Sequence, residues 1–189
     1  MKHFNNLILA SKSPRRKQLL LDAGFKFEVK TIAFDEIFPE DMDPLKVAEY
    51  LAVEKNKAHR TAFGTGTIIT SDTVVIFNDR ILGKPKDLKE AQSVLRVLSG
   101  KIHQVISGVC ISNEDKQVSF SNLTEVKFRD LAADEISHYI ELAPPLDKAG
   151  SYGIQDWIGL IGVEWIKGSY YNVVGLPVDE VYKTLKEEF

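Results

Sequence analysis

Eleven consecutive residues, TIITSDTVVIF at 67–77, constrain this chain more than any other stretch. Threonine, isoleucine, valine and phenylalanine suit the pleated, half-buried surface of a sheet, so the segment reads as a strand, with Asn78, Asp79 and Arg80 as the turn beyond it. Ser71 and Asp72 interrupt the run. A carboxylate between two β-branched runs is costly to bury unless it is paired, hydrogen-bonded or bound to a metal. Asp72 therefore either has such a partner or caps a turn in a bent strand.

A second concentration of polarity lies near the N-terminus, in LILASKSPRRKQLL at 7–20. Leu7, Ile8 and Leu9 read as a short buried strand that ends in small residues. Ser13 can cap the helix that follows, Pro14 suits its first position because the missing N–H is not needed there, and Gly24 is placed to stop it. Ser11, Ser13, Arg15 and Arg16 then crowd a strand-to-helix corner. Backbone N–H groups and the positive end of the helix favour an anion at such a corner, and two guanidiniums strengthen that preference. The alternative is a capped surface helix with ordinary exposed arginines.

Strand and helix patterns go on alternating without a repeat or a flexible linker. FKFEVKTI alternates like a strand, and FDEIFPEDMDP, which holds Asp35 and Glu36, is an acidic loop. From about Pro44 to Ala62 a helix is predicted whose apolar stripe runs Ala48, Leu51, Ala52 and then Lys55. That lysine either snorkels to water or serves a buried site. Lys84 lies in a Gly-Lys-Pro loop before a helix with Ala91, Val94, Leu95 and Leu98 on one face. KIHQVISGVCIS and QVSFSNLTEVKF form a predicted hairpin across NEDK, with His103 taken up in strand hydrogen bonding. A helix from about Ala133 to Leu142 precedes the shaped loop APPLDKAGSYGIQ, and the remainder reads as a hairpin, a loop and a C-terminal helix after Pro177. Tyr170 and Tyr171 are expected to pack or hydrogen-bond near the site.

The chain has 189 residues, 44% hydrophobic and 27% charged, enough for one domain or two closely joined lobes. A net charge of −3 does not favour a nucleic-acid backbone, although it leaves room for a local anion pocket. Cys110 is the only cysteine, which excludes an intrachain disulfide and a cysteine-based zinc cluster and fits a reducing compartment. No signal-peptide pattern or apolar run of about 18 residues is present, so a cytoplasmic location without membrane association is expected.

The polar residues form a coherent inventory: cations at Arg15, Arg16, Lys55 and Lys84, carboxylates at Asp35, Glu36 and Asp72, and neutral donors at Ser11, Ser13, Thr73 and Gln155. Such a set suits a polyphosphate held with a divalent cation. The Gly-x4-Gly-Lys-Ser/Thr loop is absent, so this is not a P-loop chain.

LASKSPRR (9–16), SDTVV (71–75), LGKP (82–85), LSGKIHQVISGV (98–109), DKAGSYGIQ (147–155) and GSYYNVVGLPV (168–178) resemble, in order, the motifs of the Maf family of nucleoside triphosphate pyrophosphatases. The resemblance implies a single α/β domain over residues 1–189, with a long curved mixed sheet, flanking helices and two lobes around a central cleft, often as a homodimer. It implies cleavage of a nucleoside triphosphate to the monophosphate and pyrophosphate with Mg2+ or Mn2+. The last two motifs resemble the branch acting on dTTP and UTP, and the 7-methyl-GTP branch is the alternative. By resemblance, Asp72 and Lys84 are the catalytic candidates, with Asp72 accepting the proton of the attacking water. Ser11, Arg15, Arg16, Lys55, Thr73 and Gln155 bind substrate, and Glu36 and Asp72 hold the metal. Arg15, Thr73 and Gln155 match positions linked to substrate choice. Ser71 stands where alanine is usual, and Asp156 and Trp157 stand where glycine often follows the glutamine. Two other classes fit parts of the pattern: a nucleotide-binding regulator of cell division without turnover, and a nucleic-acid-binding domain, which the acidic balance disfavours.

Overall fold

The structure is a computed structural model that describes residues 6–189. Its seven strands, β1 (Leu7–Leu9), β2 (Glu28–Val29), β3 (Thr67–Phe77), β4 (Arg80–Leu82), β5 (Ile102–Ser112), β6 (Gln117–Phe128) and β7 (Val163–Lys167), make a mixed sheet in the order β2-β1-β3-β5-β6-β7, with β4 paired to β3, and helices flank it. The chain divides into two compact units. The first takes residues through Thr73, Ser107–Asn122 and Gly175–Phe189, and the second takes Val74–Ile106 and Leu123–Val174. No helix among the described residues is long and apolar enough to cross a membrane.

In the first unit, β1 (Leu7–Leu9) lies parallel to β2 (Glu28–Val29) on one side and to β3 (Thr67–Phe77) on the other. Parallel neighbours need a crossover, and α1 (Pro14–Asp22) and α2 (Pro44–Phe63) supply the two. Both helices start as the sequence dictates. Ser13 caps α1 with Pro14 at its first turn, and Asp43 caps α2 through a bond from the Leu45 amide. The alternating stretch FKFEVKTI contributes only the two exposed residues of β2, shorter than the predicted strand. On α2, Val47, Ala48, Leu51 and Ala52 are buried against the sheet. The helix comes so close to β5 (Ile102–Ser112) that a Cβ on Gly108 would lie 2.2 Å from the Ala48 carbonyl carbon and the Glu49 nitrogen. Only glycine permits that contact.

In the second unit, Asn78 and Asp79 both take positive φ, and the tight turn they make pairs β4 (Arg80–Leu82) antiparallel with the end of β3. Val75, Val105 and Val126 form the centre of a core that Leu82, Ala149, Val163, Ile166 and Val173 complete. β5 and β6 (Gln117–Phe128) are sheet neighbours joined by only four residues, which makes them an antiparallel hairpin as predicted. α3 (Leu88–Leu98) packs on α4 (Ala133–Leu142), each burying one apolar face.

The predicted hairpin after Gln155 does not form. Asp156 instead starts a short helix, α5 (Trp157–Gly162), and β7 (Val163–Lys167) pairs antiparallel with β6. Gly159 explains the turn to helix: a Cβ there would meet the Ile154 carbonyl oxygen at 2.1 Å, so the chain folds back on itself where an extended strand would run on. Tyr170 and Tyr171, on α6 (Tyr170–Val174), are 40% and 53% exposed and stack edge-on with each other, not into a core. α7 (Val178–Glu188) follows Pro177 and belongs to the first unit.

Candidate active site

The strand-to-helix corner after β1 is built by short-range hydrogen bonds. Ser13 Oγ accepts from the Arg16 amide at 3.4 Å, and Ser11 Oγ accepts from the Ser13 amide at 3.2 Å. The first turn of α1 carries no acidic residue, so its free N–H groups keep their positive character. Arg15 is half-buried beside Arg16, close enough to act on its charge.

Arg16 does more than add charge. Its Nε donates to the Gly175 carbonyl at 2.9 Å, Nη1 to the Ser71 carbonyl at 2.8 Å and to Ser11 Oγ at 3.3 Å, and Nη2 to Thr73 Oγ1 at 3.0 Å. A guanidinium has five N–H groups, so four are committed and one remains. Burial pushes the Arg16 pKa below its ordinary value, and the chief opposing influence is the Asp72 carboxylate nearby. Thr73 Oγ1 also lies 2.8 Å from Ser107 Oγ. Arg16 thus ties the corner to the residues either side of Asp72 on β3.

Asp72 sits in mid-strand, 8% exposed, and does not cap a turn. Its partner is Lys55, whose Nζ donates to Asp72 Oδ1 at 2.6 Å and to Glu36 Oε1 at 2.8 Å. The lysine at the end of the α2 apolar stripe therefore points inward to carboxylates, with 12% of its side chain exposed, and does not snorkel. Glu36 reaches it from the acidic loop with 43% of its side chain exposed, while Asp35 is exposed beside it. Two carboxylates converge on one ammonium, each leaving a second oxygen outside these bonds.

Ser11, Arg15, Arg16, Glu36, Lys55, Asp72 and Thr73 all belong to the first unit. Lys84 and Gln155 belong to the second, both exposed, the one in the loop between β4 and α3 and the other in the turn before α5. Ser107 and the Gly175 carbonyl, which complete the surroundings of Thr73, escape a reading of the sequence, although Ser107 does break the apolar run VISGVCI. Ser71, the departure from alanine, has a buried hydroxyl without a hydrogen-bond partner. Nothing in the structure explains the substitution.

The family model described as Maf-like protein matches residues 6–188. A dTTP/UTP pyrophosphatase of Phocaeicola vulgatus is 49% identical over 183 residues, covering 96% of this chain and 95% of that protein. A dTTP/UTP pyrophosphatase of Porphyromonas gingivalis is 47% identical over 185 residues, covering 96% and 93%. Among solved structures, the Staphylococcus aureus Ham1 protein aligns with a TM-score of 0.54 over 98% of this chain and 100% of that one at 17% identity, a likeness of fold. The six ordered motifs, the corner-and-strand geometry and matches over nearly the whole length lead to one conclusion: this chain is a member of the Maf family.

Proposed function

We propose that this chain hydrolyses nucleoside triphosphates, dTTP and UTP foremost, to the monophosphate and pyrophosphate. The observation that carries the reading is the Glu36–Lys55–Asp72 array beside the serine-arginine corner, with Lys55 Nζ 2.8 Å and 2.6 Å from the two carboxylates. The substrate assignment is supported by the relatives at 44–49% identity, which are named dTTP/UTP pyrophosphatases.

In this reading Asp72 accepts the proton of the water that attacks the α-phosphorus, and pyrophosphate leaves. The reaction balances: one water is consumed, its oxygen joins the α-phosphorus, and the bond to the β,γ-pyrophosphate breaks. Arg15 and Lys55 bind phosphate oxygens, and Lys84 acts catalytically by stabilising the charge on the leaving pyrophosphate. Arg16 contributes one N–H to phosphate and otherwise holds Ser11 and Thr73 in their binding positions. Gln155 hydrogen-bonds the base.

Glu36 and Asp72 suit a divalent cation, Mg2+ or Mn2+, because both ions prefer hard oxygen donors. No group of three or more His, Cys, Asp or Glu that could hold a metal occurs among the described residues, so phosphate and water would complete the shell. Such a cation, when bound, neutralises phosphate charge and makes water easier to deprotonate. Lys55 balances both carboxylates until the triphosphate offers it phosphate oxygens. The lone buried thiol, Cys110, suits a reducing cytoplasm, and the assembly expected from the family is a homodimer.

The test is pyrophosphate release from dTTP, UTP, CTP, dATP, GTP and 7-methyl-GTP with Mg2+, with Mn2+ and with EDTA. The expected result is the highest kcat/KM for dTTP and UTP, lost on chelation. Preferential cleavage of 7-methyl-GTP would reject the substrate assignment, and tight binding without release would replace the enzyme with a nucleotide-sensing regulator.

A further inference from the structure

The turn that carries Gln155 is fastened by two residues that have no part in the reaction just described. Tyr139 lies on α4 and is fully buried. Its hydroxyl donates to Asp156 Oδ2 at 2.8 Å and accepts from the Gly153 amide at 3.2 Å. The same turn is closed by the Asp156 amide, which donates to the Gly153 carbonyl at 3.0 Å. One hydroxyl therefore holds both ends of the Gly153–Asp156 segment. Burial, joined by the bond to Asp156, raises the Tyr139 pKa, so the hydroxyl stays protonated and remains a donor.

Asp156 occupies the N-cap of α5, where an aspartate ordinarily accepts from a backbone N–H in the first turn. Here it makes no side-chain cap bond. Its Oδ2 goes to Tyr139 instead, with Lys148 Nζ 3.6 Å away. The packing leaves no slack: a Cβ on Gly153 would lie 2.6 Å from Asp156 Oδ2, and one on Gly159 would lie 2.1 Å from the Ile154 carbonyl. Ile154 is 7% exposed, whereas Gln155 is exposed. A turn anchored by its buried residues thus presents one free amide.

We infer that the Tyr139–Asp156 pair is a positioning device that fixes the direction of the Gln155 amide and so sets the choice of pyrimidine base. The inference rests on the proposed role of Gln155 in contacting the base. Uracil and thymine offer a carbonyl and an N–H where cytosine offers an amino group and a bare nitrogen. Discrimination between them depends on an amide that meets the edge squarely, because a site left with unpaired polar groups rejects the wrong base. A loosened turn weakens that distinction and leaves the chemical step alone.

Steady-state kinetics of pyrophosphate release from dTTP and CTP, on the full chain, test this. Asp156→Ala should raise KM for dTTP and lower the dTTP-to-CTP ratio of kcat/KM by roughly three- to tenfold, the scale of one net hydrogen bond, with kcat for dTTP within about twofold of the parent. Asp156→Asn keeps an acceptor for the Tyr139 hydroxyl and should restore most of the ratio. Tyr139→Phe alone should lower the ratio as well, and added to Asp156→Ala it should lower it by less than it does in the parent, since the Tyr139–Asp156 bond the two share can be lost only once while the Gly153 bond is lost with the hydroxyl. A parental ratio in Asp156→Ala, or an equal loss in Asp156→Asn, overturns the inference. Gln155→Ala, measured alongside, separates the two levels. If it collapses the ratio while Asp156→Ala does not, the clamp alone fails; if it leaves the ratio unchanged, the base-reading role fails and the clamp with it.

Discussion

Lys55 and Asp72 keep only 12% and 11% of their side chains exposed, so removing Lys55 strands the Asp72 carboxylate with little water to receive it, whereas removing Asp72 leaves Lys55 its bond to Glu36. Lys55→Met leaves the Asp72 carboxylate facing an apolar side chain and should cost about 3 kcal/mol of stability, read as a lower urea midpoint. Adding Asp72→Asn removes the stranded charge and should recover most of that loss, a coupling that independent sites would not give. Asp72→Asn alone should fold, because the amide is nearly isosteric and its oxygen still accepts from Lys55. Its pyrophosphate release should nevertheless fall by at least about 10²-fold, the usual contribution of a general base. A folded Asp72→Asn with near-parental turnover would leave Asp72 as a pairing residue only and direct attention to Glu36.

Secondary structure shows where local chemistry suffices and where it does not. The bounds of β3, α4, β5 and β6 agree with the sequence pattern, and α1 and α2 start at Ser13–Pro14 and Asp43–Pro44, because caps, prolines and apolar period all act within a few residues. The candidate site is legible for the same reason at Ser11–Arg16 and Ser71–Thr73, where polar groups interrupt an otherwise clear pattern. Arg16 marks the limit. Its partners Ser71, Thr73 and Gly175 lie 55, 57 and 159 positions away, so no local window could reveal that most of its donors are committed. α5 is likewise hidden from a local reading, since WIGLIG suits strand and helix alike until the approach of Gly159 to Ile154 decides it. Gly108 is the comparable contact between elements. Gly108→Ala puts a methyl against the backbone of α2, which cannot move aside as a flexible side chain would, and should destabilise by about 3 kcal/mol, at the upper end for overpacking. Thermal unfolding would show it, and an unchanged midpoint would mean that α2 rides freely on the strand.

Acid stability of the molecule as a whole depends on a histidine that the proposed reaction does not use. His103 is 1% exposed, its Nε2 lies 2.7 Å from the Tyr152 hydroxyl, and its Nδ1 is buried without a partner. Rings of Phe128 and Tyr152 flank it at 5.3 and 5.4 Å. Desolvation makes the charged imidazolium unfavourable and lowers the pKa from 6.5 to about 4. The unfolded chain takes up this proton near pH 6.5, whereas the folded one resists until about pH 4, so between these values the unfolded state binds more protons. The contribution to stability is therefore complete above pH 6.5 and declines as pH falls toward 4, a loss of about 3 kcal/mol across the interval. Carboxylates add their own acid dependence, but they are common to parent and variant. His103→Gln removes the titration and keeps a polar side chain near Tyr152, so its stability, lower at pH 7, should fall less steeply between pH 6.5 and 4. Denaturant midpoints of both proteins over that range measure the difference in slope. Parallel curves would mean that His103 protonates as readily folded as unfolded, and that the space around Nδ1 admits water.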